Sequence, residues 1–203
     1  MNEPDSPSPD ASGTVIVLTG PPGAGKSTVA RLLAGSLPSS VHLHSDDFWR
    51  YIQRARIAPY LPQAHRQNQI VIGALAQAAF AYAAGGYQVI CDGIIGPWFI
   101  DVFRAAAATH SIPLHYVILL PDQATALHRA VSRGDHALTD PEPIRSLHHQ
   151  FTDVGAFERH VLDSSQLSAQ ATADAVLRGL AEGTYHLAPQ TLRTKPNRPT
   201  YKS

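Results

Sequence analysis

Short apolar runs alternate along the chain with longer segments of helical pattern. The first run, TVIVLT at Thr14–Thr19, is rich in β-branched residues and lies between Gly13 and Gly20, which is typical of a buried strand. Comparable runs predict four more strands, at 41–44, 87–91, 114–120 and 160–162. Apolar residues at helical spacing predict the intervening helices, at 26–37, 63–84, 97–108, 122–133 and 168–180. Strands that alternate with helices predict an α/β fold with a parallel sheet covered on both faces.

The two ends of the chain differ in composition from this middle part. Residues 1–12 alternate Pro, Ser and Asp, and residues 188–203 are polar, proline-punctuated and locally basic. Segments of this kind bury too little apolar surface to offset the entropy of ordering the chain. We therefore expect a disordered tail at 1–12, one domain at 13–187 and a flexible basic tail at 188–203.

Composition and charge exclude several classes of partner. Hydrophobic residues make up 44% of the chain, and its 16 Lys and Arg residues balance its 16 Asp and Glu residues, so no overall basic field attracts nucleic acid or an anionic membrane. No apolar stretch reaches the roughly 18 residues that a membrane span needs. The single cysteine, Cys91, excludes an internal disulfide framework and fits a reducing compartment. We expect a cytoplasmic monomer or homodimer without nucleic-acid or membrane partners.

A phosphate-binding loop follows the first strand. The segment GPPGAGKST at 20–28 matches G-x-x-x-x-G-K-S/T and lies where the mechanism requires it, between a strand and a helix. Glycines let backbone N–H groups surround phosphate oxygens, and the helix N-terminus adds its positive dipole end. We expect Lys26 to bridge the β- and γ-phosphates, Ser27 to bind Mg²⁺, and Thr28 to support the phosphate contacts. The nucleotide-binding set is Gly20, Pro21, Pro22, Gly23, Ala24, Gly25, Lys26, Ser27 and Thr28.

Two further segments place carboxylates at strand ends. Asp46 and Asp47 follow the second strand, where a carboxylate can orient an acceptor hydroxyl and accept its proton; alternatively, either residue caps a helix that begins at Phe48. Asp92 ends the third strand as in a Walker B motif and would hold Mg²⁺ or contact substrate. The alternative for Asp92 is a turn-forming Asp-Gly pair after a strand.

With these motifs the chain resembles the small phosphate-loop kinases: chloramphenicol phosphotransferase, gluconate kinase, shikimate kinase and the zeta-toxin kinases. The resemblance depends on GPPGAGKST at 20–28, Asp46 within SDDF, CDG at 91–93 and the arginines of HRAVSRGDH at 128–136, and it covers most of residues 14–183. It implies a three-layer P-loop NTPase fold with a five-stranded parallel sheet in the order 2-3-1-4-5 and a small lid. It also implies that Asp46 is the catalytic base, with Asp47 as the alternative.

The resemblance also implies roles for two arginines and for the last turn of the sheet. Arg129 and Arg133 are four residues apart and share a helix face, where such kinases carry arginines that stack on adenine or clamp the transferred phosphoryl group. We assign Arg129 to nucleotide binding and Arg133 to catalysis, because an arginine in cis disperses charge on the phosphoryl oxygens. Ordinary surface arginines are the alternative. The nucleotide base is expected near the turn at 162–165, and the missing N-K-x-D signature favours ATP over GTP.

The acceptor is expected to meet segments that follow the second and third strands. Aromatic walls with a few polar groups suit a ring-bearing small molecule, although Trp49 and Trp98 are equally explained as packing residues. The assigned acceptor-binding residues are Asp47, Trp49, Arg54, Tyr60, Asp92 and Trp98.

The sequence as a whole predicts an ATP-dependent phosphotransferase that uses Mg²⁺ and a small-molecule hydroxyl substrate. An antibiotic, a sugar or a sugar nucleotide would each supply such a hydroxyl, and an antibiotic acceptor would make the protein a resistance enzyme. Two alternatives are a nucleotide-dependent protein that sequesters its ligand and an ATPase of unknown partner. In a sequestering protein Asp46 is dispensable while Lys26 is not.

Overall fold

A computed structural model describes residues 13–132 and 140–190 of the chain. Five strands form one sheet, in which every pairing is parallel and the order is β2-β3-β1-β4-β5. The predicted α/β fold class and strand order are therefore confirmed. The strands are β1 (Thr14–Thr19), β2 (Ser40–His44), β3 (Gln88–Gly93), β4 (Leu114–Leu119) and β5 (Val161–Leu162).

Helices cover both faces of the sheet and form two apolar cores. One core lies under α3 and α4, where small buried residues such as Ala76 and Ala79 allow α3 to approach the strands closely; the other lies under α1 and α7. No helix among the described residues is long and apolar enough to cross a membrane. The helices are α1 (Lys26–Ser36), α2 (Ser45–Arg50), α3 (His65–Ala84), α4 (Ile100–His110), α5 (Gln123–Val131), α6 (Pro141–His149) and α7 (Ala169–Ala181).

Three differences from the predicted elements affect the site. Strand β3 continues through Asp92 to Gly93, so Asp92 lies within the sheet and the turn interpretation of this residue is wrong. Helix α2 begins at Ser45, directly after β2, and has no side-chain cap, so neither Asp46 nor Asp47 caps a helix begun at Phe48. Helix α6 was not predicted, although Asp140 caps it and Pro141 occupies its first turn, a common start signal.

A C-terminal segment completes the edge of the sheet beside β4. Strand β5 pairs only with Ile118 and Leu119, which leaves the first half of β4 uncovered on that side. Residues 185–187 fill this gap: the backbone N–H of Tyr116 donates to Tyr185 and that of Leu187 donates to Leu114, both at 2.9 Å. Pairing of this kind protects an edge strand from association with other chains and fixes β4 in the sheet.

Candidate active site

The phosphate loop combines unusual backbone geometry with an inward-held lysine. Gly20, Gly23 and Gly25 have φ angles of 145°, 80° and 88°, which non-glycine residues rarely adopt. A Cβ built on Gly25 meets no atom within 4 Å, so this position faces open space. Lys26 is only 8% exposed, and its Nζ donates to the carbonyl oxygen of Pro21 at 2.9 Å. The loop therefore presents backbone N–H groups and a cation to one concave space, which suits nucleotide phosphates.

Asp92 joins the phosphate loop to β2 through three polar side chains. It is fully buried, and its Oδ2 accepts a hydrogen bond from Ser27 Oγ at 2.6 Å. Its Oδ1 lies 2.7 Å from His42 Nε2 and 3.2 Å from His44 Nδ1. Strand register explains this arrangement, because β2 and β3 pair His44 with Asp92 and His42 with Ile90, and both histidines lie on one face of β2.

The electrostatics of this group keep Asp92 ionised. Burial by itself raises the pKa of Asp92, but its contacts with His42, His44 and Ser27 outweigh burial and hold that pKa well below the usual range. The Asp92 carboxylate in turn raises the pKa of His44, against the opposing effect of burial. A buried charge is tolerable only when polar partners surround it in this way.

Ser27 and Asp92 also fit the requirements of a magnesium site. Mg²⁺ prefers oxygen ligands and in nucleotide sites takes one or two protein groups together with phosphates and water. The Ser27 hydroxyl and the Asp92 carboxylate supply such oxygens at the edge of the phosphate loop. Among residues 13–132 and 140–190, no group of three or more His, Cys, Asp or Glu side chains is placed to hold a metal by itself.

Asp46 and Asp47 occupy adjacent positions of α2 but have different surroundings. The Asp46 side chain is 67% exposed, and its Oδ2 lies 3.9 Å from His44 Nε2. Asp47 forms an ion pair with Arg50 at 2.8 Å and does not line the cleft described next. Of the two carboxylates, Asp46 is the one that faces the phosphate loop side.

A cleft of about 1010 Å³ connects the phosphate loop with the segments that follow β2 and β3. Of the predicted site residues, it is lined by Pro22, Lys26, Ser27, Asp46, Trp49, Tyr60 and Trp98. Arg54 and Asp92 are absent from this lining: Arg56 takes the position expected for Arg54, and Asp92 lies buried beneath the cleft. Residues that the sequence analysis did not assign also line it, among them His44, Arg50, Arg56, His65, Asn68, Phe99, Leu147 and Gln150.

Trp98 belongs to a short segment after β3 that the sheet holds in place. Thr19 Oγ1 accepts a hydrogen bond from the N–H of Ile95, and the Tyr116 hydroxyl donates to the Ile95 carbonyl, both at 2.9 Å. The Trp98 ring packs against Phe151, with ring centres 5.4 Å apart. Because its side chain remains 44% exposed, Trp98 both packs against the fold and presents a face to the cleft.

Trp49 is anchored on the other side of the cleft. Its indole N–H donates to Asn68 Oδ1 at 2.9 Å, and Asn68 Nδ2 donates to the carbonyl oxygen of Pro59 at 2.8 Å. Both Trp49 and Asn68 are 8% exposed. Asn68 thus ties α2 to the segment that precedes α3, and Trp49 reaches the cleft from a largely buried position.

Arg129 connects α5 to the turn after β5. Its guanidinium donates to the carbonyl oxygens of Ser164 and Ser165 at 3.3–3.4 Å. The same turn is attached to the start of α5 by the N–H of Asp122, which donates to Ser165 Oγ at 2.8 Å. Arg129 therefore lies beside the turn where the nucleotide base was expected; its partner in the sequence analysis, Arg133, lies outside the described residues.

Solved structures with the same fold cover nearly the whole described chain. The tunicamycin resistance protein of Deinococcus radiodurans has a TM-score of 0.61 at 16% identity and covers 88% of this chain and 99% of its own. A gluconokinase from Sinorhizobium meliloti has a TM-score of 0.63 at 19% identity, covering 85% and 96%. The APS kinase of Mycobacterium tuberculosis, in complex with AMPPNP and APS, has a TM-score of 0.63 at 19% identity, covering 84% and 99%.

These structural similarities establish the fold alone, because the sequence identities are below 20%. No curated protein sequence is significantly similar to the chain. The sequence profile of one family, described as "AAA domain", matches residues 15–154. This match includes the phosphate loop, Asp46 and Asp92, and it spans more than half of the chain, so the chain belongs to the AAA domain family of P-loop proteins.

Proposed function

We propose that this protein is a kinase that transfers the γ-phosphoryl group of ATP to a hydroxyl group of a small molecule. The observation that carries the proposal is that an exposed carboxylate, Asp46, lines the same cleft as Lys26 and Ser27 of the phosphate loop. Phosphoryl transfer needs such a pairing, since a base must receive the acceptor's proton beside a site that stabilises phosphate charge.

In the proposed reaction the acceptor oxygen attacks the γ-phosphorus in line with the leaving group. The bond from that phosphorus to the β,γ-bridging oxygen breaks, ADP leaves, and the hydroxyl proton passes to the Asp46 carboxylate. Lys26 and the backbone N–H groups of the loop stabilise charge on the phosphate oxygens. Ser27 and Asp92 would hold Mg²⁺, which supplies further charge neutralisation. Arg133 remains predicted to contribute a second cation.

Preference for ATP and for a small acceptor is also part of the proposal. The chain lacks the guanine signature N-K-x-D, and Arg129 orders the turn expected to contact the base. The cleft volume and its aromatic lining suit a compact molecule. Two of the solved structures with this fold are named as a gluconokinase and an APS kinase, names that denote kinases of small acceptors. This similarity supports the proposal of a small acceptor.

The test is mass spectrometry of hydroxylated antibiotics, sugars, nucleosides and their phosphates after incubation with Mg·ATP and the protein. We expect one compound class to gain a phosphoryl group with the wild type. Asp46→Asn should lower the rate by about 10²- to 10⁴-fold, the usual contribution of a general base, with nucleotide affinity unchanged. Asp47→Asn is the matched control and should keep the activity.

Two outcomes would contradict the proposal. If Asp46→Asn transfers phosphate at the wild-type rate, Asp46 is not the base. If Mg·ATP is hydrolysed at the same rate with and without every compound and no product forms, the protein is better described as an ATPase. Tight ATP binding with neither hydrolysis nor transfer would favour a sequestering protein.

A further inference from the structure

The acceptor side of the cleft carries a positive charge that no other described residue pairs with. Among the described residues that line the cleft, Lys26, Arg50 and Arg56 are cationic, and Asp46 is the one carboxylate. Lys26 belongs to the phosphate loop, and Arg50 is paired with Asp47 at 2.8 Å. Arg56 has no hydrogen bond or ion pair with any described residue. Its guanidinium is therefore available to a ligand.

The position of Arg56 in the cleft follows from two hydrogen bonds that hold the backbone of the next residue, Ile57. Gln67 binds both backbone groups of Ile57: the N–H of Ile57 donates to Gln67 Oε1 at 2.9 Å, and Gln67 Nε2 donates to the Ile57 carbonyl at 2.8 Å. We call residues 52–61, between α2 and α3, the acceptor loop. Asn68 holds the same loop two residues later, at Pro59.

Residues 55–58 of the acceptor loop alternate between two surfaces. Arg56 and Ala58 line the cleft, whereas Ala55 and Ile57 line a separate apolar groove of about 590 Å³. The apolar side chain of Ile57 and its two backbone hydrogen bonds thus keep the loop in one orientation. In that orientation the arginine faces the cleft, while Arg54 lines neither surface.

Aromatic rings line the same cleft as Arg56. His65 stacks on Phe99 with ring centres 6.4 Å apart and planes inclined by 22°, and Phe99 contacts the edge of Trp98 at 6.4 Å. Tyr60, from the acceptor loop, lines the cleft and is 50% exposed. Ring faces and a cation in one cleft suit a molecule that has a planar ring and a negative charge.

We propose that the acceptor carries, besides its hydroxyl, a planar ring and an anionic group, and that Arg56 binds the anionic group. This inference rests on the proposed function, whose substrate class it narrows. A carboxylate, phosphate or sulfate would form charge-assisted hydrogen bonds with the guanidinium, whose planar fork matches those oxygens. A neutral acceptor would enter the cleft without engaging that charge.

The test measures binding of matched compounds to the full chain in the presence of Mg²⁺ and a non-hydrolysable ATP analogue, by ligand-observed NMR. The pairs are uridine 5′-monophosphate with uridine, and hydroxymethylbenzoate with hydroxymethylbenzamide. We expect the anionic member of at least one pair to bind about tenfold more tightly, as expected for hydrogen bonds to a charged group. Arg56→Gln should remove this preference, and the matched control Arg54→Gln should keep it.

Three results would overturn the inference: no anionic member binds, both members of each pair bind equally, or Arg54→Gln has the same effect as Arg56→Gln. Because binding is measured without phosphoryl transfer, this test can fail or succeed independently of the proposed function. An anionic compound that binds through Arg56 but gains no phosphoryl group with Mg·ATP would contradict the kinase proposal alone.

Discussion

The phosphate side and the acceptor side of the cleft differ in how their polar groups are held. On the phosphate side, Ser27, His42 and His44 each lie within 2.6–3.2 Å of the buried Asp92 carboxylate. On the acceptor side, Arg56 has no partner among residues 13–132 and 140–190, and Tyr60 and Trp98 are about half exposed. Polar groups that already hold one another in place without ligand suit the steps of a reaction that are the same for every acceptor. Unpartnered charge and exposed rings suit the part that selects among ligands.

The largest effect is expected at Gly25, on the phosphate side. Gly25→Val places a β-branched residue at φ 88°, which strains the phosphate-binding backbone, so we expect nucleotide affinity to fall about 100-fold or more. Titration with a fluorescent ATP analogue measures this. Gly35→Val, at an exposed position of α1, is the control and should leave affinity near that of the wild type. Equal affinity in Gly25→Val would overturn the assignment of the loop.

The second substitution removes contacts on the acceptor side of the cleft and leaves those of the phosphate side intact. Asn68→Ala leaves the buried indole N–H of Trp49 and the Pro59 carbonyl without their partner, so we expect the free energy of unfolding to fall by about 1–3 kcal/mol. Urea unfolding measures this change. Nucleotide affinity of the folded protein should be unchanged, because the phosphate loop shares no hydrogen bond with Asn68.

Gln67→Ala is expected to lower the free energy of unfolding less than Asn68→Ala does. It removes two hydrogen bonds to Ile57 but leaves partners that solvent can reach, so the expected loss is about 0.5–1.5 kcal/mol. A larger loss in Gln67→Ala than in Asn68→Ala would contradict the expectation that the buried hydrogen bonds of Asn68 contribute more to stability than those of Gln67.

A third, smaller effect is expected at Gly96, which lies against the ring of Trp98. A Cβ on Gly96 would collide with the ring of Trp98, and since that ring is 44% exposed, it can move outward at low cost. We therefore expect Gly96→Ala to shift the tryptophan fluorescence and to weaken binding of ring-bearing acceptors severalfold, with stability nearly unchanged. The same shift in Gly96→Ala/Trp98→Phe would contradict this explanation.

The smallest effect concerns a region outside the cleft, at the edge of β4. Burial, and secondarily the nearby His186, lower the pKa of His115. The unfolded chain therefore binds a proton at His115 more readily than the folded one, so this residue costs stability as pH falls below about 6.5. Thermal unfolding between pH 7 and pH 5 should show a smaller loss in His115→Gln than in the wild type.

The control for that measurement is His128→Gln, which removes an exposed histidine and should keep the wild-type pH dependence. The difference is expected to be modest, because the His115 ring is partly open to solvent. Nucleotide affinity at pH 7 should be the same in all three proteins, which would separate this edge from both sides of the cleft.

Residues that depend on local pattern were predicted well. The loop at 20–28 was recognisable because contiguous residues form it, with glycines where the backbone needs positive φ. The five strands and their helices followed from short-range periodicity, and Asp92 followed from its place at the end of an apolar run. Helix α6 was missed because its apolar positions are few, although its Asp-Pro start was visible in the sequence.

Some residues whose place depends on contacts between distant segments were not predicted. Arg54 and Arg56 are equivalent in composition and spacing, and only the attachment of Ile57 to Gln67 turns Arg56 toward the cleft. Likewise, the alternation of His42 and His44 places them on one face of β2, but only the register with β3 brings both to Asp92.

The sequence by itself thus determined the fold class and the phosphate loop, because strand and helix periodicity and a nine-residue motif are local properties of the chain. The tertiary structure decided which carboxylate and which arginine face the cleft. It did so through a parallel register and through hydrogen bonds between segments ten or more residues apart, such as Gln67 with Ile57. Burial and orientation of a side chain arise only when such distant segments pack together.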